Sequence, residues 1–126
     1  MRKIKRQPVV CTVPSLPNSE ISPNARKHHL GKNRLMQSAK DVMENALKEQ
    51  GCLQNPLWES AHLDLLFRAT DKRRRDLDNM VASCKPWIDA LKNTVIVDDR
   101  ASILATLSAR YEIGEVEETV MTITCT

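Results

Sequence analysis

The 126-residue chain has the length of one domain, and its 41% hydrophobic and 28% charged residues exclude a disordered or fibrous protein. It has no apolar run near the roughly 20 residues of a membrane helix, and no signal-peptide core follows its basic start. We therefore expect one domain over residues 1–126 with a flexible basic tail at 1–6, no membrane segment and a cytoplasmic location.

The charges are unevenly distributed along the chain. Residues 1–63 carry ten Lys/Arg against five Asp/Glu, whereas the second half carries nine against eleven. A basic half beside local acids suits an enzyme that holds a polyanion while its acids bind metal, although ordinary surface charge is the alternative. The four cysteines form no CxxC pair, which argues against a zinc site or a disulfide framework and favours free buried thiols.

The first half of the chain predicts a strand, a loop and a helix. Gln7 to Val13 is a short β-branched run, and the stretch up to His29 is rich in Pro, Asn and Ser. From about Asn33 to Gln50 apolar residues recur at helical spacing, and Gly51 then ends the helix.

The second half predicts the order strand, helix, strand, strand. Residues 60–70 alternate as a half-buried strand, and residues 79–92 read as a helix that is kinked or restarted at Pro86. Thr94 to Val97 is a short β-rich run, and residues 103–111 form the clearest strand. Met121 to Cys125 is expected to be its hairpin partner. The predicted fold class is α/β, a small mixed sheet in the chain order β-α-β-α-β-β packed against two helices.

Arg73-Arg-Arg-Asp-Leu-Asp-Asn79, followed by Asp98-Asp99, carries the chemical information in this sequence. If Asp76 and Asp78 are extended, both side chains leave one face about 7 Å apart, close enough to share a hard cation. Placing Asp99 beside them would gather carboxylates that repel one another unless a divalent ion offsets the repulsion. Oxygen ligands favour Mg²⁺, with Mn²⁺ as a substitute, over zinc.

Each part of this pattern also has a structural interpretation. Asp76 and Asp78 suit a turn followed by a helix cap, and Asp98-Asp99 suits a tight turn before the next strand. The Arg run would then be a solvated connection. Only the joint occurrence of these parts favours the functional interpretation.

The stretch from Phe67 to Ile103 resembles the RusA family of Holliday junction resolvases, whose signature is an Arg-rich approach to DxDN, a downstream Lys, a DAL-like helix and an Asp-Asp pair. The resemblance implies a RusA-like α/β homodimer that hydrolyses phosphodiesters in opposed strands of a four-way junction, during DNA recombination and repair. It implies a bacterial setting, with phage or cellular origin left open, and no small-molecule cofactor.

The resemblance also assigns roles to individual residues. Asp76, Asp78 and Asp99 would be catalytic metal ligands, and Asp98 a less favoured ligand because adjacent extended residues point apart. Lys85 would contact the scissile phosphate or the attacking water, although it follows Asp78 by seven residues where the better-known motif has four. A surface role is its alternative.

Basic residues in two segments would hold the phosphate backbone without reading sequence. For Asn79 we expect a role in orienting a carboxylate or capping a helix, and for Trp87 a core or dimer contact rather than base stacking. Asp89 is expected to form a salt bridge or a structural hydrogen bond. The two basic segments comprise Arg73, Arg74 and Arg75, and Arg26, Lys27, Lys32 and Arg34.

Two rival functions remain open at this point. One is a catalytically silent DNA-binding module that uses the Arg run as a phosphate clamp. The other is a metal-dependent nuclease of the same fold that acts on flaps, forks or other branched DNA.

Overall fold

A computed structural model describes residues 6–22 and 29–126 of the chain. The expected order of strands and helices is confirmed, with the second helix divided in two and a 3-10 turn at Ser19–Ile21 after the first strand. The elements are β1 (Val9–Val13), α1 (His29–Glu49), β2 (Ala61–Ala69), α2 (Leu77–Ser83), α3 (Lys85–Asp89), β3 (Leu104–Ile113) and β4 (Glu118–Cys125).

The four strands form one open mixed sheet in the order β1-β4-β2-β3. β2 and β3 are parallel, and β4 is antiparallel to both β1 and β2. The expected hairpin between the last two strands is therefore wrong, because β4 lies on the far side of β2 from β3. The connection crosses the end of β2, where the Gly114 amide donates a hydrogen bond to the Ala69 carbonyl oxygen at 2.8 Å.

One face of the sheet forms the hydrophobic core under the helices. Alternate residues of β2 are fully buried on this face, as the period of two in the sequence predicts. On the opposite face the parallel pair is linked by polar contacts: Ser108 Oγ donates to Asp64 at 2.7 Å, and Arg68 Nε donates to Glu112 at 2.6 Å. The β2 residues in the core are Ala61, Leu63, Leu65, Phe67 and Ala69.

The helix ends follow the sequence signals. The Cys52 amide donates to the Leu47 carbonyl oxygen at 2.8 Å across Gly51. The φ of Gly51 is 70°, in the left-handed region that glycine adopts without steric cost. Pro86 lies in the first turn of α3, where its missing amide proton costs nothing, so the predicted restart is confirmed. Trp87 is buried against the core, in agreement with its expected packing role.

The structure bears in part on the expected absence of membrane segments, on the basic tail and on the cysteines. No helix in the described ranges is both long and apolar enough to cross a membrane. Of the basic tail at 1–6, only Arg6 is described, and its guanidinium donates to the Pro56 carbonyl oxygen. All four cysteines are free thiols, and burial raises the pKa of Cys11 and of Cys84 to about 12, so both stay protonated at neutral pH.

Candidate nucleic-acid interface and acidic site

The Arg run occupies the loop between the end of β2 and the start of α2. Asp71 anchors this loop: its carboxylate accepts hydrogen bonds from the Arg73 amide at 3.0 Å and from the Arg75 guanidinium at 2.8 Å. These bonds, that of Arg75 foremost, hold the pKa of the Asp71 carboxyl below its usual value. Arg75 also reaches the Tyr111 hydroxyl at 3.4 Å, which ties the loop to β3.

A cleft of about 520 Å³ opens beside this loop. Arg74 Nε lies 4.0 Å from an Asp76 oxygen, and the Arg74 side chain is 93% exposed, so it points a cation into solvent at the mouth of the cleft. Sequence reasoning missed the opposite wall, which the chain builds from the segment after β1 and from the loop before β4. The lining residues include Arg73, Arg74, Arg75, Asp76 and Asn79, together with Asn18, Ser19 and Glu117.

Asp76 and Asp78 do not share an extended strand end as expected. Asp76 is the N-cap residue of α2, with extended backbone (φ −98°, ψ 125°), whereas Asp78 is already in the first helical turn. The Asp76 side chain makes no capping hydrogen bond, while Asp78 accepts one from the Asn79 amide at 3.0 Å. The helix starts at Leu77, and the Asp76 carbonyl oxygen accepts from the Met80 amide at 3.1 Å. Both carboxylates are exposed at this helix start.

The N-terminal segment is joined to α2 through Asn79. The Ser22 hydroxyl, which is buried, donates to Asn79 Oδ1 at 3.3 Å, and Lys32 Nζ donates to the Ser22 carbonyl oxygen at 2.9 Å. Lys32 is thereby connected through Ser22 to the cleft residue Asn79, whereas Arg34 is exposed on a different face of α1. The other two basic residues expected there, Arg26 and Lys27, lie outside the described residues.

The Asp98-Asp99 pair and Asp76 lie at opposite ends of the parallel strands β2 and β3. The pair precedes β3, whereas Asp76 follows β2, and these strands are parallel. The pairing spans nine residues of β2, so the two ends of the strands are roughly 25 Å apart at about 3.3 Å per residue. Asp98 lies 3.8 Å from the Lys92 ammonium and 3.9 Å from the Arg100 guanidinium, and it accepts the Asp99 amide at 2.8 Å.

Lys85 begins α3, beyond the far end of α2 from Asp76, and the nine residue steps between them span about 13 Å at the helical rise. Its ammonium pairs with Asp89 Oδ1 at 3.4 Å, which confirms the expected ion pair of Asp89. The side chain of Lys85 is 64% exposed, so the pair is weak and does not hold the ammonium in place.

The expected magnesium site requires three neighbouring carboxylates, Asp76, Asp78 and Asp99. Within residues 6–22 and 29–126, no group of three or more His, Cys, Asp or Glu side chains is placed to hold a metal ion. The topology explains this result, because it separates Asp76 and Asp78 from Asp98 and Asp99. Asp76 and Asp78 lie at the cleft, and Asp98 and Asp99 lie at the opposite end of the strands.

Comparison with known proteins shows a similarity at modest identity. The chain is 29% identical over 110 residues to a protein of Xylella fastidiosa (strain Temecula1 / ATCC 700964) whose description is "Uncharacterized protein", covering 86% of this chain and 71% of the relative. No protein-family model matches the chain. The functional conclusion therefore rests on the residues themselves.

Proposed function

We propose that the protein is an endodeoxyribonuclease of the RusA type, which holds branched DNA at the Arg-lined cleft and hydrolyses phosphodiesters beside Asp76. The observation that carries this proposal is that three consecutive arginines and Asp76 line one open cleft. The Asp76 side chain makes no capping hydrogen bond to α2. Four-way junctions are the proposed substrate, in recombination and repair, and the proposed location is the cytoplasm.

The arginines of the loop suit phosphate binding. Arg73 and Arg74 are exposed, and Arg75 is fixed between Asp71 and Tyr111, so the loop presents cations from a braced main chain. Guanidinium groups match phosphate oxygens with two parallel hydrogen bonds, and such contacts position DNA without selecting sequence. Lys32, which is joined to Asn79 through Ser22, adds a cation from α1.

Asp76 and Asp78 suit the chemical step. Hard oxygen ligands are those that Mg²⁺ and Mn²⁺ prefer, and such an ion polarises a phosphodiester and lowers the pKa of bound water. The proposed cofactor is therefore Mg²⁺, with Mn²⁺ as its substitute. Asp76 and Asp78 would hold the ion at the cleft.

A matched pair of assays tests this function. Cleavage of a synthetic four-way junction, a flap and plain duplex is measured in parallel with Mg²⁺, and binding of the same DNAs is measured by gel shift in Ca²⁺. We expect branched DNA to be cut and duplex to be left intact. Flap cleavage without junction cleavage would favour a nuclease for other branched DNA.

A second candidate function is a catalytically silent DNA-binding module. It is favoured by the lack of a three-carboxylate group in the described part of one chain. Tight junction binding in Ca²⁺ without any cleavage in Mg²⁺ or Mn²⁺ would select this candidate over the nuclease.

A further inference from the structure

Arg75 is the restrained member of the arginine run. Its Nη1 donates to Asp71 Oδ1 at 2.8 Å and also lies 3.4 Å from both the Arg73 carbonyl oxygen and the Tyr111 hydroxyl. The Arg75 side chain is 15% exposed, whereas that of Arg74 is 93% exposed. Arg75 therefore has a fixed place in the wall of the cleft without any ligand, and Arg74 does not.

The contacts of Arg75 all use the same nitrogen of its guanidinium. Among the described residues, Nε and Nη2 of Arg75 have no hydrogen-bond acceptor. These two nitrogens form the side edge of the guanidinium, whose parallel N–H groups match a pair of phosphate oxygens. The contacts that restrain Arg75 thus leave this phosphate-binding edge available.

Arg68, at the end of β2, shows the opposite arrangement. Its Nε donates to Glu112 at 2.6 Å, and its Nη1 donates to Glu118 at 3.4 Å. The side edge of Arg68 is thus occupied by a carboxylate of its own chain. Restraint by carboxylates is shared by both arginines, but only Arg75 keeps the side edge open.

Asp71 makes the shortest of the contacts that restrain Arg75. Its Oδ1 also accepts from the Arg73 amide at 3.0 Å, so one oxygen holds both the guanidinium and the loop backbone. By charge alone, a carboxylate in a phosphate-binding loop repels the ligand and weakens binding. The position of Asp71 beside three arginines therefore calls for a compensating gain.

We infer that Asp71 is a positioning residue, which holds Arg75 so that the Nε–Nη2 edge receives a backbone phosphate of the DNA in the cleft. This inference rests on the proposed function, because it takes DNA phosphate as the ligand of the cleft. Ordering a flexible side chain during binding lowers affinity, and Asp71 orders Arg75 before DNA arrives. Tyr111 acts in the same direction through its longer contact.

Two substitutions of equal charge test the role of Asp71. Asp71→Ala and Asp71→Asn both remove the negative charge, but only asparagine keeps an acceptor oxygen for Arg75. We expect Asp71→Ala to bind a synthetic four-way junction about threefold to tenfold more weakly than wild type, with Asp71→Asn between them. Charge repulsion alone predicts the reverse, with both variants binding equally and more tightly than wild type. Gel shifts in Ca²⁺ measure the affinities.

The matched control for the lost charge is Glu115→Gln. Glu115 lies in the exposed loop between β3 and β4, at the same end of the parallel strands as Asp71, and makes no hydrogen bond or ion pair with the described residues. Its substitution should leave binding unchanged or slightly tighter. Tyr111→Phe changes no charge and should weaken binding by less than Asp71→Ala. Equal weakening by Glu115→Gln and Asp71→Ala would overturn the inference.

A double-mutant cycle distinguishes the positioning of Arg75 from a general effect on the loop. Arg75→Ala should lower the slope of log K against log salt by about 0.9, whereas Asp71→Ala should leave the slope unchanged because the phosphate contact still forms. In the Arg75→Ala background, Asp71→Ala should cause no further loss of affinity. A full further loss in that background would mean that Asp71 does not act through Arg75.

Side-chain NMR tests the restraint without DNA. The Nε–H group of Arg75 should have a high order parameter in wild type and a low one in Asp71→Ala, and that of Arg74 should be low in both. An Arg75 order parameter that is unchanged in Asp71→Ala would overturn the inference.

The failure of this inference and the failure of the proposed function give different results. If the wild-type chain binds no branched DNA, the proposed function fails, and the phosphate role of Arg75 fails with it. If wild type binds and cuts the junction while Asp71→Ala binds as tightly or more tightly, Asp71 is not a positioning residue and the nuclease proposal stands.

Discussion

Two acidic segments flank the parallel strands β2 and β3, and their surroundings differ. Asp76 lies in an open cleft beside three arginines and makes no capping hydrogen bond. Asp98 lies between Lys92 and Arg100 and binds the Asp99 amide, so part of its capacity is used to shape the turn before β3. An aspartate of this chain thus lines an open cleft at one end of the strands and shapes a turn at the other end.

The largest expected effect concerns Asp76. Asp76→Asn keeps the shape but removes the charge, and we expect cleavage at least about 100-fold slower with junction binding equal to or tighter than that of wild type. The matched control is Asp41→Asn, an exposed α1 residue bonded only to Gln37 in the described contacts, which should cut normally. Gel shift in Ca²⁺ and cleavage in Mg²⁺ measure the two properties. Normal cleavage by Asp76→Asn would remove the cleft from the mechanism.

The next effect distinguishes Arg74 from Arg100, which lie at opposite ends of the parallel strands. Arg74→Ala should weaken junction binding, and if one phosphate contact is lost the slope of log K against log salt should fall by about 0.9. Arg100→Ala, at the opposite end, should leave that slope unchanged. Gel shifts across a salt series test both variants. Equal slopes for Arg74→Ala and wild type would mean that DNA does not contact this loop.

The smallest expected effect is on stability and comes from Asp71. Its folded pKa is below the unfolded value, so its contribution is present above the unfolded pKa and is lost as pH falls through the folded pKa. Asp71→Asn should lower the Tm slightly at neutral pH and match wild type in strong acid. The effect stays small because the Asp71 side chain is 49% exposed to solvent, which screens the pair. Thermal melts at the two pH values measure it, and a Tm difference that persists in strong acid would contradict this account.

Local patterns predicted the elements of this fold well. The alternation in β2, the stop at Gly51 and the restart at Pro86 depend on a few neighbouring residues, and the structure confirms all three. These signals are local because backbone conformation and capping are determined within one or two turns.

Pairing between strands could not be predicted in the same way. β3 and β4 are separated by only four residues, which is typical of a hairpin, yet β4 pairs with β1 and β2. β2 instead lies between β3 and β4 in the sheet, and Leu66 is buried as well as its alternate neighbours. Such a requirement involves distant residues, and no short window contains it.

The candidate site shows the same limit. The sequence identified the Arg run and Asp76, and the cleft brings them together. It could not indicate that Glu117 and Asn18 form the opposite wall, since only the crossing of the chain over β2 places them there. Nor could it show that Asp99 lies at the opposite end of the strands from Asp76, because the direction of β3 relative to β2 determines the distance between these two residues.

The most direct test of the nuclease proposal is cleavage of a synthetic four-way junction by the wild-type chain, with Mg²⁺ and then with excess EDTA, beside Asp76→Asn. Our account predicts paired cuts in opposed strands with Mg²⁺, none with EDTA, and at least about 100-fold slower cleavage by the variant. Undiminished cleavage in EDTA, or no cleavage of any branched DNA by a folded wild-type protein in Mg²⁺ or Mn²⁺, would contradict it.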